Sequence, residues 1–594
     1  MINDFVIASL PMKILFTTVA GTIIFLVAGC ANPTSNRDEA TQWVEKTMAG
    51  LSLEKKVAQL ICTDITGEYL PFDDPRMESW VKLAKEYGVG GFVCYGGTPQ
   101  NVAHLLNRLQ QEAEIPLLIS ADFEGGAGQQ VVGASEFPAN MAFAAARDEN
   151  LMYEAAKIMA KEGRSMGIHL TYTPVADISI SPDNPQESVR SFGGDYELMN
   201  KLLKMYVKGY HETGMFTTAK HFPGRGDMKA LVEYPGFNYL DKSEAEFAQN
   251  ELRAFQFAVD AGVDFIMTEH IAVPEATDGS LLPASVEPRL TKGIIRNKLG
   301  FKGIITTDDL WYDHVTNRFG TEEVAVMALE AGHDIILKPR DPVATIKAVT
   351  DAVRQGRISE ASIDNSVTKL LHLKATLGLH KNRFTDENKV YQAVGTEAHK
   401  AVVRKVADRS FTLLRNEGVF PLKNWNPANT VHITVQKAEN QPAVIELTGK
   451  LSASFPGINH FSLKPSMGQS YRETVKKAAQ QADCIIISFF VDRTRHVDPA
   501  PVREEDIDLI NNIIKSGKSK KVIAVSYGNP HIIRKISDIP AFLVGYGEGG
   551  WCGNQLIYFD TFTDIMKGTL TPSGRLPINV SDAYPIGFGL TYSQ

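Results

Sequence analysis

The chain reads as α/β: a (β/α)8 TIM-type barrel followed by a smaller α/β sandwich domain. Three features of its 594 residues carry that expectation. Eight short apolar runs alternate with amphipathic stretches at a spacing of roughly 40 residues, which is the repeat of a barrel of this kind. Nearly every run ends in polar or charged residues. A charged stretch without an apolar run then separates these eight from a second, shorter set.

The N-terminal segment stands apart from the fold. Lys13 precedes the apolar run ILFTTVAGTIIFL, and small residues, VAGC, follow. That order is a positive start, an apolar stretch and a cleavage point. The run is shorter than the ~20 residues a bilayer span needs. Met12 is a possible true start. Cys30 directly after Val-Ala-Gly resembles a bacterial lipoprotein signal, so residues 1–29 are expected to be removed and Cys30 lipidated. The alternatives are an ordinary secretory signal or a short anchor. Residues 30–40, polar throughout, read as a tether. Ala31 is not the Asp that marks inner-membrane retention in some Gram-negative bacteria, which favours the outer membrane. The cell envelope is the expected location, with the membrane as a partner through Cys30.

The barrel is expected over 41–375. Its runs are LICTDI, VGGFVCY, PLLISADFE, HLTYTPVAD, FTTAKHF, FIMTEH, GIITTDD and HDIILKP. Runs this short, rich in β-branched residues, suit buried parallel strands. The intervening segments, such as MYEAAKIMAKEGRSMG and FAQNELRAFQFAVDAG, have helical periodicity, and several close on Gly. Polar residues collect where strands would end: Asp122 and Glu124, Asp177, Lys220 and His221, Glu269 and His270, Asp308 and Asp309, and Lys338. The C-terminal strand ends are where such a barrel keeps its active site. A doubly wound open sheet would not need polar residues at nearly every strand end. Residues 376–400 read as a linker. Residues 401–594 carry VHITV, CIIISFF, KVIAVSYG and AFLVGYG mixed with helical patterns, hence the second domain.

Composition excludes several classes. The formal charge is −8 and no basic run or basic-aromatic stripe occurs, so no nucleic-acid partner is expected. Once residues 1–29 are gone, Cys62, Cys94, Cys484 and Cys552 remain without a C-x-x-C, and buried free thiols are the expectation. GYGEGG fits a dinucleotide fingerprint only superficially, because too little chain follows it. There is no H-E-x-x-H and no G-x-S-x-G. No cofactor or metal is expected.

The words KHFPGRGD, RSFGGD, ADFEGG, FPANMAFAAARD, MTEH and LGFKGIITTDDL, in their order along the chain, resemble glycoside hydrolase family 3, most closely its β-N-acetylhexosaminidase branch. LSLEKKVAQLI, SFTLLRNEGVFPL and GRLPINV…YPIGFGLTYS extend the likeness over nearly the whole mature chain. The resemblance implies a carbohydrate substrate and a retaining, exo-acting glycosidase with Asp308 as nucleophile and Asp309 beside it. Asp122, Arg190, Lys220 and His221 are implied to hold sugar hydroxyls through charge-assisted hydrogen bonds. A purely structural set of interior salt bridges with Asp122 or Asp177 is the alternative for Arg190 and Lys220. A terminal β-linked N-acetylglucosamine, from peptidoglycan fragments, chitin-type sugars or glycans, is the substrate this likeness suggests. A β-glucosidase or β-xylosidase is the near alternative.

Two departures stand out. The substrate-contacting Arg expected eight residues past Asp122 is Gln130. The Asp-x-His pair that supplies the proton donor is missing: Leu231, Val232 and Glu233 stand there, and Arg225 replaces the first His after KHFPG. Glu233 is the first candidate donor, with Asp227 and the second-domain acids Glu504, Glu505 and Glu548 behind it. A non-catalytic sugar-binding envelope lipoprotein is the remaining alternative.

Overall fold

The structure, a computed structural model, describes residues 33–71, 73–180, 188–439, 441–490, 502–516, 521–536, 538–547 and 555–593. Eight strands form the barrel: β1 (Ile61–Thr66), β2 (Gly91–Tyr95), β3 (Leu118–Ala121), β4 (Leu170–Thr171), β5 (Phe216–Phe222), β6 (Phe265–Thr268), β7 (Ile304–Thr307) and β8 (Ile336–Leu337). Neighbours follow chain order, all pairs are parallel, and β8 returns to pair with β1. A bridge between Thr306 and Ile335 joins the two remaining edges. The expected barrel is therefore the observed one. Helices between the strands begin where short polar side chains satisfy free N–H groups, as Asp148 does for Leu151 and Asp195 for Leu198. The helix Glu251–Ala261 ends on Gly262, whose φ of +92° suits a residue with no Cβ.

One irregularity matters for the site. Between Ala219 and Phe222, β5 carries one more residue than its partner β6. In an unbroken strand Lys220 and His221 would point to opposite faces. The bulge re-aims the strand end, and both side chains line the same pocket.

The second domain has a six-stranded sheet: β9 (Thr412–Asn416), β10 (Thr430–Gln436), β11 (Asn459–Leu463), β12 (Cys484–Phe490), β13 (Lys521–Ser526) and β14 (Ala541–Val544), in the order β9-β14-β13-β12-β10-β11. Only β9 runs antiparallel. All seven residues of β12 are buried, as expected for a central strand covered on both faces. Helix Glu397–Ser410 packs against the barrel helix Asn140–Ala146 and against the second-domain helix Gln555–Lys567. Glu162, fully buried, accepts hydrogen bonds from Ser135, from the Gly395 N–H and from His399, tying barrel to connection. Near the C-terminus the chain returns to the barrel. Arg575 N donates to Ala145 O (3.0 Å), and Gly194 N donates to Pro577 O (2.8 Å).

The stretch 376–400 lies along the barrel. Asn107 Nδ2 donates to Thr385 O and to Glu387, and Arg383 donates to Ala113 O. Polar bonds to backbone do this, which an apolar pattern cannot announce. From residue 33 the expected tether belongs to a helix, Pro33–Gly50, that packs on helix Glu360–Thr376. Cys30 and the segment before it lie outside the described residues, as does Cys552. Cys62, Cys94 and Cys484 are buried free thiols. Among the described residues no helix is long and apolar enough to cross a membrane.

Away from the polar strand ends, the barrel encloses an unusual lysine. Lys374 is 0% exposed, and its Nζ donates to Gln59 Oε1 at 2.7 Å. Burial lowers its pKa to about 7. Between there and the ordinary lysine range the unfolded chain holds a proton that the fold does not, so this group makes stability rise with pH by up to about 1.4 kcal/mol per pH unit. The unfolding midpoint of the wild type should climb from pH 7 to 9.5 relative to that of Lys374→Met. Thermal melts of both proteins across that range test this; parallel curves would refute it.

Candidate active site

The strand ends converge on a pocket of about 280 Å³ lined by Asp122, Arg190, Lys220, His221, Glu269 and Asp308 among others. Its floor is a charge network with almost no access to water. Lys220 Nζ lies 2.7 Å from Asp122 and 2.8 Å from Glu124. Arg190 grips Glu124 through two nitrogens, at 2.8 and 2.5 Å. Burial alone would raise the Glu124 pKa, yet Arg190 and Lys220 hold it well below the usual carboxylate range. Asp122 is pushed up, by burial first, with Lys220 opposing. Of the salt bridges with Asp122 or Asp177 considered for Lys220 and Arg190, Lys220 makes the one with Asp122; Arg190 pairs with Glu124, which Lys220 shares, and both cations also face the pocket.

Asp177 fixes His221. It is 0% exposed and accepts from His221 Nδ1 at 2.7 Å and from the His221 and Arg225 backbone N–H groups. Arg190 can only donate, so at 3.4 Å it meets His221 Nε2 as an acceptor. That assigns the imidazole proton to Nδ1.

The nucleophile candidate lines the same pocket, with one side-chain oxygen within 4.8 Å of a His221 ring nitrogen. Asp308 N donates to Thr268 O at the end of β6, and Asp308 Oδ1 accepts from Asp309 N (2.7 Å). Glu269, at the end of β6, is clamped by Arg225 and accepts from the His270 N–H. Arg225 also comes within 3.9 Å of Asp308 Oδ2. His221, Glu269 and Asp308 each place one ligand-type atom within 4.8 Å of the others. Two arginines crowd this trio, Arg190 beside His221 and Arg225 beside both carboxylates, so their charge opposes a cation there. Burial, then Glu269, then Asp309 push the Asp308 pKa well above the ordinary range, with Arg225 pulling the other way. Burial would raise Glu269 as well, but Arg225 and His270 hold it far below. Asp309 is paired with Lys338 at 2.9 Å. His270 spans Ser285 Oγ and Asp309 O, so it is a brace.

Of the residues expected at the site, Asp122, Arg190, Lys220, His221 and Asp308 are brought together. Gln130 is not among the pocket residues; it caps a 3-10 turn, 127–129, away from the lining. Glu233 is exposed and also outside the pocket. It lies at the turn between strands Met228–Ala230 and Asn238–Leu240, which pair antiparallel, and this hairpin sends Gly236 and Asn238 to the wall instead. Asp227 does not line the pocket, and neither do Glu504 and Glu505 on helix Glu504–Ser516, where Glu505 pairs with Arg472. Glu548 lies outside the described residues. Sequence reasoning placed Glu269 at a strand end but gave it no role. It overlooked Tyr312 and His314, which line the pocket a few residues past Asp308 on the same loop.

Comparison with known proteins agrees with this geometry. The family model described as "Glycosyl hydrolase family 3 N terminal domain" matches residues 52–373. The "Beta-N-acetylglucosaminidase/beta-glucosidase" of Cellulomonas fimi is 30% identical over 402 residues, which cover 66% of this chain and 70% of that protein. The "Probable beta-glucosidase C" of Aspergillus flavus is 25% identical over 587 residues, 90% of this chain and 85% of that one. The solved family 3 β-N-acetylglucosaminidase from Paenibacillus sp. str. FPU-7 superimposes with a TM-score of 0.76 at 28% identity, over 90% of this chain and 99% of that chain. With a family match over more than half its length and a closed parallel barrel whose strand ends gather opposed carboxylates, the chain belongs to glycosyl hydrolase family 3 and is a glycoside hydrolase acting on β-linked sugars.

Proposed function

We propose that this enzyme is a retaining, exo-acting β-N-acetylhexosaminidase that releases terminal β-linked N-acetylglucosamine through a covalent glycosyl-Asp308. The observation that carries the reading is a single pocket lined by buried cations and carboxylates together with Asp308. The reading seats a terminal sugar ring in this pocket. Asp122, Arg190, Lys220 and His221 hydrogen-bond its hydroxyls, and those bonds tighten as charge develops on the ring. Asp308 attacks the anomeric carbon and is later displaced by water. Arg225 and Glu269 set its charge state. The names of the Cellulomonas and Paenibacillus relatives support N-acetylglucosamine. The double name of the first supports β-glucosidase as the second reading. The VAGC sequence supports lipid anchoring at Cys30 in the bacterial cell envelope, so peptidoglycan fragments are within reach.

Hydrolysis of a panel of aryl β-glycosides by the chain lacking Met1 to Cys30 tests the activity. The N-acetylglucosaminide should be cut fastest, with the β-anomer of the sugar appearing first by NMR. Asp308→Asn should lower kcat by a factor of at least ~1,000. A faster glucoside would transfer the reading to β-glucosidase. An α-anomer, or an active Asp308→Asn, would overturn the mechanism.

The charge state of Asp308 gives a second expectation. It attacks only as a carboxylate, and its pKa is raised. Activity on activated substrates should therefore fall, with decreasing pH, above the ordinary carboxylate range. Glu269→Gln removes a like charge and should move that acidic limb down by about one pH unit; Arg225→Gln removes the opposing cation and should move it up by a similar amount. Profiles of kcat/KM against pH decide this. Shifts of the opposite sign would show that another group controls the limb.

A further inference from the structure

The reaction just proposed needs a second group, one that gives the leaving oxygen a proton and later takes one from water. Resting on that reading, we propose that His314 is this group, the general acid/base of the enzyme.

Position is the first argument. His314 lines the same pocket as Asp308 and sits on the same loop after β7, in helix Asp313–Phe319. It is half-buried, whereas Arg190, Lys220 and His221 are almost wholly enclosed at the floor. A proton donor belongs toward the open side, where the leaving group departs.

Chemistry is the second argument. Imidazole is the side chain whose unperturbed pKa, about 6.5, suits both giving and taking a proton near neutrality. Of the imidazoles that line the pocket, His221 belongs to the enclosed floor with Asp177, and His270 braces Ser285 against the Asp309 carbonyl.

The third argument is the seat built around this imidazole. Its ring stacks on Tyr312 with centroids 5.5 Å apart and planes 19° from parallel. Phe237 meets it edge-on at 5.0 Å and His270 at 6.0 Å. The hairpin that carries Glu233 closes the remaining flank with Gly236, at φ +94°. A Cβ built there would come within 2.7 Å of His314 Cβ and 2.8 Å of its Cγ. The wall is thus shaped to this one side chain, which orients the ring as a proton donor must be oriented.

The steps balance. An imidazolium N–H of His314 passes its proton to the glycosidic oxygen while the bond from that oxygen to the anomeric carbon breaks and Asp308 bonds to the same carbon. The neutral imidazole then takes a proton from water. The water oxygen attacks the anomeric carbon, and Asp308 leaves as a carboxylate.

The experiment compares wild type with His314→Gln and His314→Asn, each checked for an unchanged melting temperature, on two N-acetylglucosaminides. One carries a dinitrophenyl leaving group, which departs without a proton; the other is the disaccharide, which does not. The same pair of glucosides is run alongside, in case glucose is the preferred sugar. For a general acid, kcat/KM on the poor leaving group should drop by a factor of about 100 or more, and on the activated one by less than about ten. Azide, which needs no base, should restore kcat on the activated substrate and yield a glycosyl azide. If both substrates suffer alike and azide does nothing, His314 only packs the wall and the proposal falls. It falls equally if the selective loss appears in Glu233→Gln or Asp309→Asn. A wild type inactive on every sugar would instead defeat the glycosidase mechanism of the preceding section.

Discussion

The ammonium of Lys220, shut inside the barrel between Asp122 and Glu124, is the interaction on which the rest depends. An ion that deep costs several kcal/mol to remove from water and is tolerable only when its partners are complete. Glu124 must therefore also meet Arg190, and Arg190 brings the loop after β4 to the pocket. The bulge in β5 lets His221 turn inward beside Lys220, and Asp177 then holds that ring. Each element is placed by the need to satisfy the one before it. The outcome is a preorganised floor of charged donors and acceptors.

Among further carboxylates of the same pocket the logic runs with opposite emphasis. Three carboxylates, Glu269, Asp308 and Asp309, stand close together, and only two are firmly paired, with Arg225 and Lys338. The third, Asp308, bears the excess charge. That crowding and burial raise its pKa, and the cation 3.9 Å away opposes the rise. The charge state of Asp308 is thus set by its neighbours.

Much of this was legible in the residues. The eight apolar runs are the eight strands, because a strand buried on both faces needs an unbroken apolar stretch. Most of the polar residues closing them line the pocket, because a barrel points its strand ends one way. The hairpin was not legible. Glu233 looked like a donor from its place in the chain, but antiparallel pairing of Met228–Ala230 with Asn238–Leu240 turns it to solvent and puts Gly236 on the wall. His314 carried no signal, since its position depends on packing against Tyr312 and Phe237, residues from two separate loops. The binding of 376–400 to the barrel was equally silent, as it rests on side-chain bonds to backbone carbonyls.

The return of the chain to Ala145 and Gly194 has a bearing on how the protein is made. Gly194 closes the turn that begins with Arg190, and it is held by Pro577, a residue synthesised long after the barrel strands. A Cβ at the neighbouring Gly193 would fall 2.4 Å from the Pro577 carbonyl, so the fit there is close. A nascent chain emerging from the ribosome could assemble all eight strands and still lack the strut behind Arg190. Competence of the pocket is thereby coupled to completion of the polypeptide, and a chain cut short in its second domain would leave a barrel with a loosened wall.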